Sequence, residues 1–177
     1  MKKLLAFICL CIQIVPIMGQ SVFRTSHGVK VETKAACVEL ECFSSSIIRV
    51  KKYPLGQAPE KQSLSVTMQP EKVKYKIQEA NNQVILTTSE LTVLLDIIQN
   101  QVRFVTKDGK ELLAEKPSST GFTSFNDAGN STYRIRQTFL LDSDEAIYGL
   151  GQHQRGKMNQ RNQTLFLQQA NTEICIP

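Results

Sequence analysis

The sequence predicts an all-β fold, an antiparallel β-sandwich. Three observations carry that reading. Apolar residues alternate with polar ones at period two, turn signals separate the runs, and no stretch holds a helical period with caps. In chain order, Val29 and Val31 alternate with Lys30 and Glu32. Val38, Leu40 and Cys42 alternate with Glu39 and Glu41, and Ile48 and Val50 alternate with Arg49 and Lys51. Val84 and Leu86 continue the pattern, followed by Leu91, Val93 and Leu95, then Val102 and Phe104. Ile135, Phe139 and Leu141 read as one further run against Arg134, Arg136 and Thr138. Asn81-Asn82, Gln99-Asn100 and Asp108-Gly109 are the hairpin turns between strands. From Val73 to Glu115 the strands recur roughly every 8–12 residues, the spacing of a sandwich.

Ser89 to Gln99 is the nearest helical rival, because Leu91, Leu94, Leu95 and Ile98 fit i, i+3, i+4, i+7. Strand is preferred there: Thr92, Val93, Ile97 and Ile98 are β-branched, and hairpin turns flank the run. Two segments read as loops, Pro54 to Ser63 and Pro117 to Ser131. The second carries Phe122 and Phe125, which either pin it by packing, the preferred reading, or line a cleft. Asn130-Ser131-Thr132 and Asn162-Gln163-Thr164 match the N-glycosylation sequon.

The N-terminus sets the expected compartment. Lys2 and Lys3 precede an apolar run from Leu4 to Val15, and small Gly19 stands just before Gln20. This pattern reads as a secretory signal peptide over residues 1–19, leaving a domain from 20 to 177 and a periplasmic or secreted product. The apolar run is too short to span a bilayer, so no membrane partner is expected after cleavage. The net charge of +5 is spread along the chain. Lys72, Lys74 and Lys76 would share one solvated strand face, and nothing clusters as a nucleic-acid groove requires.

Of the five cysteines, Cys9 and Cys11 fall in the leader. Cys37 and Cys42 stand five apart on one expected strand and so point to opposite faces, which argues against a bridge between them. With Cys175 they read as buried small hydrophobes. There is no Cys-x-x-Cys and no paired histidine, so neither metal nor cofactor is expected. Catalytic signals are equally thin. Asp142, Asp144 and Glu145 form the one tight acidic cluster, read as a solvated corner rather than a glycosidase pair. Gly-x-Ser-x-Gly is absent, and Gly149-Leu150-Gly151 lacks the third glycine of a nucleotide loop.

Tyr148-Gly149-Leu150-Gly151-Gln152-His153 changes the picture. It resembles the signature that closes the N-terminal β-sandwich of glycoside hydrolase family 31, of the α-xylosidase and α-glucosidase type. Met158-Asn159-x-Arg161-Asn162, Leu167-x-Gln169-x-Asn171 and Ile174-x-Ile176-Pro177 follow in the family's order. Upstream, Leu91 to Asp96, Val102-Arg103-Phe104 and Asp108 to Leu112 resemble the family's paired strands around an Asp-Gly turn.

The resemblance implies a galactose-mutarotase-like sandwich, or supersandwich. In the family it packs on a (β/α)8 barrel that carries the two catalytic aspartates for retaining hydrolysis of α-glycosides. A sandwich loop helps wall the sugar pocket; here it should lie within Gly156 to Asn171. The candidate substrate-loop residues are Gln152, His153, Asn159, Gln169 and Asn171, with no catalytic residue in this chain. Gly149 and Gly151 are expected in tight turns. The implied partners are an α-linked oligosaccharide, met through the parent enzyme, and the barrel itself. Two departures stand out. Many members carry an acidic residue where Ala170 stands, and relatives often have Arg-Gly in place of Arg161-Asn162. The family's nucleophile motif has a tryptophan nearby, and this chain has none. The family continues past Ile176-Pro177 into further strands and the barrel. The sandwich is therefore expected to be incomplete, poorly soluble alone and inactive on nitrophenyl α-glycosides. Two other readings remain open: a stand-alone secreted carbohydrate-binding sandwich, and a structural or adhesive β-domain without a sugar role.

Overall fold

The computed structural model describes residues 21–57, 63–152, 156–169, 171 and 174–175. The expected leader over residues 1–19 lies outside them. Among the described residues all fourteen elements are strands. They are β1 (Ser21–Thr25), β2 (Gly28–Glu32), β3 (Cys37–Cys42), β4 (Ile48–Tyr53), β5 (Lys76–Ala80), β6 (Gln83–Thr87) and β7 (Leu91–Asp96). Then come β8 (Gln101–Thr106), β9 (Glu111–Glu115), β10 (Gly121–Asp127), β11 (Asn130–Arg136), β12 (Phe139–Leu140), β13 (Gly151–Gln152) and β14 (Ile174–Cys175). The chain divides into two compact units at Thr138/Phe139.

The first unit is built on two antiparallel meanders. One sheet has the order β1-β2-β3-β4, and in the other β5 to β9 follow one another as neighbours. Each strand turns back on its predecessor, which is what short hairpin turns allow. Asn81, Asn82, Asn100 and Gly109 adopt positive φ (51°, 61°, 51° and 85°) at the turns that the sequence marks. The facing sides of the sheets form one core. Val29, Val31, Val38, Leu40, Cys42 and Ile48 from the first sheet meet Val84, Leu86, Val93, Leu95 and Val102 from the second. Val29, Val31, Val38, Val84, Leu86, Val93 and Leu95 expose 0–1% of their surface. Ser89 to Gln99 contains β7, as the β-branched content indicates. Cys37 and Cys42 are both buried and unbridged on β3.

Two readings need correction. The segment Pro117 to Ser131 is not a loop, because Gly121–Asp127 forms β10 and pairs with β11 in register from Gly121↔Arg136 to Asp127↔Asn130. No residue of the hairpin is fully buried. With no core-facing side there is no apolar alternation to read. Its turn runs through Ala128 and Gly129 at φ 48° and 92°, and alanine is a poor signal for a left-handed position. The run from Ile135 to Leu141 is likewise not one strand. β11 ends at Arg136, and Ile135 is 71% exposed. Also, the described strand after Val73 begins at Lys76, although Lys72, Lys74 and Lys76 are all exposed as expected.

Away from the core, the first sheet carries a ladder of opposite charges. Lys30, Glu39 and Lys51 stand side by side on β2, β3 and β4, with Glu41 beside Arg49. Lys51 pairs with Glu39 and lies 3.7 Å from Glu41, and the Tyr53 hydroxyl donates to Glu39 at 2.7 Å. Partial burial works to raise the Glu39 carboxyl. The bonds from Lys51 and Tyr53 and the charges of Lys51 and Lys30 outweigh it and hold Glu39 below its ordinary 4.5. A carboxyl with a depressed folded value contributes stability above its unfolded value and loses it as pH falls through the folded one. Glu39→Gln should therefore flatten the acid limb of stability below pH 4.5. Urea midpoints taken down the acid range check this, and an unchanged acid slope would refute it.

Candidate functional site

The signature Tyr148 to Gln152 belongs to the second unit and is a backbone device. Gly149, Leu150 and Gly151 take φ of 92°, 68° and 102° in succession. Such a run is accessible to glycine and strained for leucine, so the two glycines carry most of it. A Cβ on Gly149 would meet nothing within 4 Å, so conformation and not space calls for glycine there. The chain emerges from this turn as β13 and pairs with β14, Gly151 opposite Cys175 and Gln152 opposite Ile174.

The structure separates the candidate residues into distinct roles. Gln152 is exposed on β13. Gln169 Oε1 accepts the Cys175 backbone N–H at 3.4 Å and so braces β14 beside it. Asn171 occupies an exposed turn. Gln152 and Gln169 thus make an amide strip of the β13–β14 ribbon, and Asn171 stands three residues before β14 in the chain. Asn159 does not join it. Its Oδ1 accepts the N–H groups of Ile147 and Arg161 at 3.1 and 3.0 Å, so it shapes the chain around it. His153, and Ala170 at the position where the family often has an acid, lie outside the described residues.

Sequence reasoning missed two organisers. Arg161 Nη1 donates to the backbone carbonyls of Asp142 and Glu145 at 2.7 and 2.5 Å, tying the acidic corner to the loop. Asp142, Asp144 and Glu145 are all exposed there, as a solvated corner should be. Gln160 is 9% exposed, bonding through its N–H to Ile147 O and through Nε2 to Lys157 O. The Arg161-Asn162 departure also gains a physical reason. Asn162 stands at φ 61°, a left-handed position that glycine fills without cost and that asparagine tolerates best among the other residues. No group of three or more His, Cys, Asp or Glu residues able to hold a metal occurs among the described residues.

Comparison with known proteins agrees with this architecture. The model of the glycosyl hydrolase 31 N-terminal galactose mutarotase-like domain matches residues 37–173. The chain is 32% identical over 149 residues to an alpha-xylosidase of Saccharolobus solfataricus, covering 79% of this chain and 20% of that protein. It is 25% identical over 154 residues to alpha-glucosidase 2 of Bacillus thermoamyloliquefaciens, covering 87% and 18%. The crystal structure of a GH31 alpha-xylosidase from Xanthomonas citri matches with a TM-score of 0.80 at 33% identity, over 87% of this chain and 17% of that one. A GH31 alpha-xylosidase from a soil metagenome, complexed with xylose, shares the fold at a TM-score of 0.70 and 20% identity, over 89% and 26%. The chain thus spans about a fifth of the length of either of these curated relatives. The match over residues 37–173 places the chain in glycoside hydrolase family 31, as its N-terminal galactose mutarotase-like domain.

Proposed function

We propose that this chain is the non-catalytic N-terminal sandwich of a secreted retaining α-glycosidase of the α-xylosidase or α-glucosidase type. It packs on the catalytic barrel and presents the β13–β14 strip to an α-linked oligosaccharide. The carrying observation is the amides at and before that ribbon: Gln152 on β13 and Asn171, three residues before β14, are exposed, and Gln169 steadies the ribbon through Cys175 N. An amide offers both donors and an acceptor, which suits sugar hydroxyls. The leader-like pattern over residues 1–19 supports secretion.

The test is made in the full-length enzyme. Asn171→Ala removes hydrogen-bonding groups worth roughly 0.5–1.5 kcal/mol each, so kcat/KM on nitrophenyl α-xyloside or α-glucoside should fall about three- to tenfold. Gln152→Ala should act in the same direction. Turnover unchanged in both variants would leave the domain a purely structural support.

A further inference from the structure

The β10–β11 hairpin of the first unit presents a face that the fold itself does not require. In an antiparallel pair, residues opposite one another share a face, and next neighbours along a strand do not. Ser124 lies opposite Tyr133 and Asn126 opposite Ser131, so these four stand on one side with Phe122 and Ile135. Asp127, Arg134 and Arg136 all fall on the other side. There the Arg134 guanidinium covers the Phe125 ring at 4.4 Å. The hairpin is solvated on both sides, so burial does not dictate this sorting of charge.

A cleft of about 570 Å³ is lined by Ser124, Asn126, Ser131 and Tyr133 of the uncharged face, by Phe125 and Thr132 from the other side of the hairpin, and by Gln57. That volume is ordinary for a small-molecule site. Tyr133 is held in place at its margin. Its hydroxyl accepts from Gln57 Nε2 at 2.7 Å, and its ring meets Phe122 edge to face at 6.3 Å and 85°. Asn126 Oδ1 is used by the turn, accepting from Gly129 N at 2.8 Å, which leaves its Nδ2 as a donor. Ser124 and Ser131 add hydroxyls that both donate and accept.

We infer that this face is a binding site for a neutral polyhydroxylated ligand, a short oligosaccharide, distinct from the β13–β14 strip. The chemistry selects the ligand class. A phosphate or a nucleic acid would need cations, and no lining residue is one, while Arg134 is engaged with the Phe125 ring. An acidic ligand is disfavoured for the same reason. Hydroxyls and amides around a fixed aromatic ring match the mixed polar and C–H surface of a sugar. The inference does not rest on the hydrolase reading, because a sugar can dock here with no catalytic domain involved.

The experiment is a calorimetric or NMR titration of the full chain with maltotetraose and xylotetraose at millimolar concentration. Saturable binding is expected for at least one. Tyr133→Ala and Ser131→Leu, the second filling the cleft from an exposed position, should each weaken it about tenfold. Arg136→Ala, opposite Gly121 on the other face and outside the cleft lining, should leave it unchanged. Melting curves of Ser131→Leu matching the parent would show that the fold is kept. No saturable binding, or binding indifferent to both cleft variants, overturns the inference. Binding lost in Asn171→Ala but kept in Ser131→Leu also overturns it, and would support the β13–β14 strip instead.

Discussion

Glu115→Ala should lower the unfolding free energy by about 3–5 kcal/mol, the scale for breaking a buried ion pair from one side. Lys52 and Glu115 each expose only 8% of the side chain, with the ammonium 2.5 Å from Oε2. Lys52 Nζ also donates to Asn100 O at 2.9 Å and to Thr120 Oγ1 at 3.0 Å. Glu115 Oε2 further accepts the Val102 N–H at 2.7 Å. The pair therefore ties β4 of one sheet to β8 and β9 of the other. Truncating Glu115 leaves a buried ammonium without its counter-charge and strips a β-strand amide of its acceptor. Burial pushes the Lys52 ammonium below its ordinary 10.5, with Glu115 pulling the other way. Lowered in the fold, Lys52 holds its proton less readily than in the unfolded chain. Its contribution to stability thus rises with pH in the window beneath 10.5 and is weaker below it. The double change Lys52→Met with Glu115→Leu should cost far less than the single one, since it removes both charges together. Urea unfolding measures both. A single-variant loss under about 1 kcal/mol, the scale of an exposed pair, would contradict the buried network.

The same residues mark the limit of what the sequence reveals. Strands β2 to β4 and β6 to β8 are legible because each buries one side. Val31, Val38, Leu86 and Val93 are fully buried, and the intervening residues are not. Lys52 breaks that rule. It lies opposite Val38 in the β3–β4 register, on the core side with Ile48 and Val50. A charge at an inward position was a readable signal, but its partner Glu115 is 63 residues away, and single-sequence periodicity carries no such pairing. The β10–β11 hairpin fails for the opposite reason, having no buried side at all. In the candidate site, glycine spacing reveals the turn through Gly149 and Gly151, because left-handed backbone constrains residue type. The bracing roles of Gln160 and Arg161 were hidden, because their partners are backbone groups, which any sequence supplies.

Gly28→Ala should be nearly as damaging, for a reason confined to one oxygen atom. Gly28 opens β2 and pairs with Glu41 on β3. A Cβ built there would lie 1.9 Å from Leu40 O, with Leu40 C at 3.0 Å and the Glu41 Cα at 3.3 Å. Its φ is outside the left-handed region, so the conflict is steric and involves backbone, which has no rotamer to change. Relief requires β2 and β3 to part, yet Val29 beside Gly28 and Leu40 itself are fixed in the core at 0% and 1% exposure. The adjoining Cys42 N–H to His27 O bond of 2.7 Å would stretch as well. Over-packing of this kind costs about 1–3 kcal/mol or somewhat more, and the absence of a soft neighbour argues for the upper end. At about 2–4 °C per kcal/mol for a chain of this size, Tm should fall by roughly 6–12 °C. Gly129→Ala supplies the contrast. Its Cβ would meet nothing within 4 Å, so only the left-handed φ of 92° is penalised, at about 1–2 kcal/mol. If Gly28→Ala melts no lower than Gly129→Ala, the close approach of β2 to β3 does not exist in solution, and the register that positions the whole first sheet must be redrawn.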